Sequence, residues 1–178
     1  LGHTVKNDYY GERYTAQGSA YLYLHGADGV PRDQALFALA TTYFDEAIAK
    51  GNLRMIMGVT DAVTGQKAYS FTGYGVNEGA TLHEHPSDLD IYFFLGLSEY
   101  LAATGDRAFL AESVDFHPKG SASLPPGANG RTVLDHVRVA FRHLKDKVGK
   151  GDHGLIRISD GDWSDGVSYE DLSPSAVK

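Results

Sequence analysis

DLDIYFFLGLSEYLAATG, residues 88–105, carries a helix start, an apolar body and a helix stop in a single run. Ser87 and Asp90 have the S-x-x-D spacing of a capping box, and Asp88 adds negative charge where a helix presents unpaired N–H groups. Gly105 supplies a residue that can close the helix in the left-handed conformation. Ile91, Phe93, Phe94, Leu95, Leu97, Tyr100 and Leu101 cover nearly the whole circumference. A helix apolar on all sides belongs inside a protein, so other helices are expected around it.

Similar signals recur on both sides of this run. Pro31 suits the first position of a helix, and Ala, Leu and Met dominate residues 31–40 and again from Asp45 to about Ala62, with Ala49, Leu53 and Ile56 on one face. Two helices hinged at residues 41–44 are expected. A short helix over Arg107–Val114 follows Asp106 as its cap, and Thr132 with Asp135 repeats the capping spacing. Leu134, Val137, Phe141, Leu144 and Val148 then fall three and four apart, which predicts an inward stripe opposite Arg138, Arg142, Lys145 and Lys147. Residues 1–30 read as irregular with a short helix near Ala20–His25, residues 63–86 as a long functional loop, and LIRIS at 155–159 as the best strand candidate. The fold class is therefore all-α, a two-layer helical array with loops at one end.

Composition narrows the function. The chain has 178 residues, 42% hydrophobic and 22% charged, enough for one domain with a core. A net charge of −7 argues against nucleic acid, whose phosphates call for clustered Lys and Arg. The longest apolar run, Ile91–Leu97, is far short of the ~20 residues that span a bilayer, so no membrane partner is expected. Cysteine is absent, which removes disulfides and thiolate metal sites. The start lacks both Met and a signal-peptide pattern, and SPSAVK at the end follows no completed element. The chain thus reads as a single partial domain, residues 1–178, cut from something longer.

Chemistry concentrates in ISDGDWSDGVSYED, residues 158–171, where the one tryptophan sits among acids. Turn residues in a plain loop are one reading. A calcium loop is another, with Asp160, Asp162, Ser164 and Asp171 at positions 1, 3, 5 and 12, but position 6 must be Gly and is Asp165. His83 and His85 form an H-x-H pair with no remote Cys or His to complete a zinc site, so no metal is expected. No nucleophile elbow or phosphate loop is present, GSAYLYLHG being neither. A sugar site is the third reading, because a pyranose packs its C–H face on an indole while its hydroxyls bond to carboxylates. Either Asp162 or Asp165 could then donate a proton to a departing glycosidic oxygen. The residues alone leave the sugar site and the plain loop open.

HGLIRISDGDWSDG, taken with Arg32-Asp33-Gln34 and HPSDLDIYFFLGLSEYLAATGDRAFL, resembles the catalytic domain of the glycoside hydrolase family 94 enzymes, the cellobiose- and chitobiose-phosphorylase-like proteins once grouped as glycosyltransferase family 36. The resemblance spans most of residues 15–168. It implies part of an (α/α)6 barrel and inverting phosphorolysis of a β-linked gluco-oligosaccharide to a sugar 1-phosphate. Asp165 would be the general acid. Trp163, Asp162, Arg32, Asp33 and Asp88 would bind substrate. Inorganic phosphate would be co-substrate with no cofactor, in a cytoplasmic enzyme completed by the remainder of the polypeptide or by a second copy. An inverting hydrolase on the same barrel and a non-catalytic sugar-binding fragment, inactive in isolation, are the alternatives. Ser164 stands where the family usually has Asn, and Leu36 and Phe37 stand near where it usually has another acid.

Overall fold

A computed structural model of the chain describes residues 4–6, 8, 11–16, 29–71 and 86–158. Helices are the main regular structure among these residues. Strands β1 (Thr4–Lys6) and β2 (Arg13–Thr15) form an antiparallel hairpin in which Val5 faces Tyr14. Four helices follow: α1 (Pro31–Thr41), α2 (Glu46–Gly58), α3 (Leu89–Thr104) and α4 (Val133–His143). A 3₁₀ turn over Arg107–Ala111 sits between α3 and α4, and α4 widens at its end into a π turn over Leu144–Val148, closed by the Gly149 N–H on the Leu144 carbonyl.

Local chemistry explains most of these ends. Pro31 begins α1 where its missing N–H is no loss. The Asp45 carboxylate caps α2 by accepting from the amides of Ala47 and Ile48 at 3.1 and 3.2 Å. Thr132 and Asp135 form a complete capping box on α4. Gly105 ends α3 at φ 69°.

Helix α1 lies against both α2 and α3, and the core between them holds Ala35, Ala38, Ala49, Leu53, Ile56, Phe93, Leu97 and Tyr100. Small residues set the spacing: a Cβ on Gly96 of α3 would come 3.2 Å from the Ala35 carbonyl of α1. The hairpin lies closer still to α2, where a Cβ on Gly51 would come 1.8 Å from the Arg13 carbonyl oxygen. Two buried amides hold β2 there. Asn52 accepts from the Thr15 amide at 2.8 Å, and Gln34 donates to the Thr15 carbonyl at 3.0 Å. None of the described helices is long and apolar enough to cross a membrane.

Several expectations need correction. Helix α2 stops at Gly58 rather than near Ala62, because Thr60 pairs with Lys67 across a turn that the Asp61 carboxylate organises. Residues 1–30 contain the hairpin, whose three-residue strands depend on α2 and leave no alternation to read. Residues 155–159 are no strand over their described part, which makes a single bridge, Lys150 with Ile156. The short helix after Asp106 is the 3₁₀ turn and ends at Ala111 rather than Val114. Ser87 and Asp90 do not form a capping box, since α3 starts after Asp88 with no side-chain cap. Nor is α3 enclosed on every side, for Leu95 is 46% exposed. The inward stripe of α4 is also rotated: Val133, His136, Val139 and Ala140 are buried, whereas Leu134 and Phe141 are exposed. Counting large apolar residues chose the wrong face, because the true one includes a histidine and an alanine. The helix expected near Ala20–His25 lies outside the described residues.

Candidate active site

The first turn of α3 gathers charge from three other parts of the chain. Arg32, second residue of α1, makes a two-pronged contact with Asp88, Nε on Oδ2 at 3.1 Å and Nη2 on Oδ1 at 3.0 Å. Both side chains are more than nine-tenths buried. The rings of Tyr69 and Tyr92 flank the guanidinium, with centroids 5.9 and 5.8 Å from its central carbon. Asp33, next along α1, is half-buried.

Two residues further on, Asp90 takes two partners. Lys67 Nζ lies 2.5 Å from Oδ1, and His143 Nδ1, at the last residue of α4, lies 2.7 Å from Oδ2. Lys67 also sits 4.9 Å from the centroid of Phe93. Burial works to raise the Asp90 pKa, but the Lys67 charge and the His143 hydrogen bond outweigh it and hold the carboxyl below its ordinary value. Helix geometry helps as well, because both carboxylates stand where α3 points its N–H groups.

Ser87 completes the cluster. Its hydroxyl donates to the Arg157 carbonyl at 3.1 Å. Arg157 precedes Asp165 by eight residues, so this contact ties the chain leading into the acid-rich segment to the same helix end.

Arg32 and Asp88 are thus brought together, with Asp33 beside them. Asp162, Trp163 and Asp165 lie outside the described residues, as do His83 and His85. No group of three or more His, Asp or Glu among the described residues is arranged to hold a metal ion. Sequence reasoning missed Lys67, Tyr69, Tyr92, Asp90, His143 and the tie at Ser87. One signal was available for Asp90: a carboxylate in the first turn of so apolar a helix calls for a buried cation, and Lys67 had no local partner. What the cluster offers chemically is a set of fixed carboxylate and guanidinium groups beside aromatic faces, the combination that orients a polyhydroxylated ring.

A family model described as the catalytic domain of the glycosyl hydrolase 94 superfamily matches residues 10–176. Solabiose phosphorylase of Paenibacillus borealis is 29% identical over 138 residues, which cover 77% of this chain and 15% of that protein. The chain therefore spans a small part of the length of this curated relative.

Proposed function

This chain belongs to the glycosyl hydrolase 94 superfamily through its catalytic domain, and from that premise we propose that it is a piece of a glycoside phosphorylase whose proton donor is Asp165. Residues 1–178 form part of one (α/α)6 barrel, completed by the rest of the polypeptide or by a second copy. The substrate is a β-linked gluco-oligosaccharide. Trp163 carries the apolar face of the sugar ring, and Asp162, Arg32, Asp33 and Asp88 hold its hydroxyls. Asp165 gives a proton to the glycosidic oxygen as the C1–O bond breaks, and a phosphate oxygen attacks C1 from the opposite face, leaving an α-sugar 1-phosphate.

The observation that carries this reading is the Ser87–Arg157 hydrogen bond, which anchors the approach to Asp165 beside the buried Arg32–Asp88 pair. The family match, which runs through Asp165, supports it. Phosphate attack also suits the carboxylates. An inverting hydrolase needs a base to activate water, and Asp90, with its pKa held low by Lys67 and His143, accepts a proton poorly. Phosphate is already an anion and needs no base or cofactor. A cytoplasmic location suits a reaction that consumes inorganic phosphate and yields a charged sugar.

The test is phosphate dependence in the full-length protein. A β-linked glucodisaccharide should be cleaved in proportion to added phosphate, with sugar 1-phosphate released. Equal cleavage without phosphate, giving free reducing sugar, would establish the hydrolase instead. Sugar binding with no turnover on any β-glucodisaccharide would establish a binding fragment.

A further inference from the structure

From the end of α4 toward Asp165 the chain makes a strap, residues 143–157, that is fastened at both ends around the start of α3. At the near end His143 Nδ1 meets Asp90 at 2.7 Å, and Asp90 is itself fixed by Lys67 at 2.5 Å. At the far end the Arg157 carbonyl accepts from Ser87, while the Arg157 amide bonds to the Gly149 carbonyl at 3.3 Å. In between, Lys150 bridges Ile156, and the Gly151 amide donates to the Leu155 carbonyl at 2.8 Å, closing the strap on itself. The π turn over Leu144–Val148, with Val148 buried, sets the strap's starting direction.

The two fastenings differ from ordinary helix capping. Ser87 and Asp90 have the spacing to cap α3, and neither does so. Ser87 instead donates to Arg157, 70 positions away, and Asp90 is shared between Lys67 and His143, the latter 53 positions away, so each reaches a segment that leads toward Asp165. The buried Lys67–Asp90 pair is expensive to desolvate, and a pair of this kind is better explained by what it holds in place than by net stability.

We propose that Ser87 and His143 are positioning residues for the proton donor: by clamping the strap to α3 they fix where the segment carrying Asp165 leaves the helical frame. This rests on Asp165 being the acid. A general acid displaced by about 1 Å can lose on the order of 100-fold in rate while the substrate still binds. The clamp should therefore act on kcat and only on leaving groups that need a proton.

The experiment uses the full-length protein with Ser87→Ala, Ser87→Thr, His143→Ala, His143→Asn and Asp165→Asn, on a β-glucodisaccharide and on β-glucosyl fluoride. Fluoride departs with the bonding electron pair and needs little protonation, so phosphate displaces it without an acid. Ser87→Ala and His143→Ala should lose roughly 10- to 100-fold in kcat on the disaccharide with KM little changed, and keep most of their activity on the fluoride. Ser87→Thr and His143→Asn, which retain a donor at each position, should recover most of the loss. Equal losses on both substrates, or no loss on either, overturn the clamp even where Asp165→Asn behaves as an acid knockout. If Asp165→Asn itself leaves disaccharide turnover intact, the assignment of the acid fails, and the clamp with it.

Discussion

At its first turn α3 meets Arg32, Lys67 and His143 through side chains between 2 and 10% exposed, whereas beyond its last turn Asp106 and Glu112 meet Lys50 and Arg54 through side chains 20 to 34% exposed. Carboxylates meet basic side chains at both ends. The cost differs, because ions taken fully out of water lose several kcal/mol of hydration each, while half-wet pairs lose little and gain little. A chain that buries charge at one end of a helix and floats it at the other is fixing geometry at the buried end. The strap toward Asp165 is fastened there, within the residues that the family model matches.

The contrast breaks most easily at Asp90. Asp90→Ala leaves the Lys67 ammonium buried without its carboxylate, and should destabilise the fold by about 3–5 kcal/mol, read as a lower denaturant midpoint. A loss under about 1 kcal/mol would mean that this end is as loosely solvated as the other.

A middle-sized effect comes from His136 on the buried face of α4. It stacks on Phe116 at 4.0 Å, and its Nε2 lies 2.9 Å from the Val114 carbonyl. Burial, only partly opposed by that carbonyl, pushes its pKa down to about 4. The unfolded chain therefore takes up the proton first. Stability should be full above about pH 6.5 and fall by about 2–3 kcal/mol as the pH drops toward 4. His117, lowered chiefly by burial with Asp61 opposing, acts in the same direction. Asp90 acts in the same direction in a lower window: its depressed value keeps its contribution full above the ordinary carboxylate range and loses it only as the pH falls further. His136→Gln should flatten the slope of stability between pH 6.5 and 4. An unchanged slope would assign it to other groups.

The smallest effect belongs to the wet end. Glu112→Gln weakens contacts with Lys50 and Arg54 that are already partly hydrated, and should shift stability by no more than about 1 kcal/mol and turnover not at all. A change as large as that of Asp90→Ala would erase the difference between the ends.

Much of the helical frame was legible because it is written locally. Pro31, Asp45, Gly105 and the Thr132–Asp135 box each act on their own helix within a few residues; Pro31, Gly105 and the box were read correctly as end signals, and Asp45 only as the residue where a helical stretch begins. What failed was long-range. Ser87 and Asp90 match a capping pattern, yet partners 70 and 53 residues away outcompete the helix for their side chains. The α4 face was misread because its buried side carries His136 and Asp135, polar groups that reach Val114 through the His136 Nε2 and Thr132 and Arg138 through the Asp135 carboxylate. The hairpin was invisible because α2 holds β2 in place through Asn52 and Gly51. Of the candidate site, Arg32 and Asp88 could be named in advance, but their pairing could not, since nothing in the spacing of α1 and α3 says which ends meet.

The most direct measurement is the rate of sugar 1-phosphate formation from a β-linked glucodisaccharide by the full-length protein carrying Asp165→Asn, set beside Asp106→Asn at the wet end of α3. The account predicts a loss of at least about 100-fold in kcat for Asp165→Asn and near-normal turnover for Asp106→Asn. Normal turnover by Asp165→Asn would contradict it.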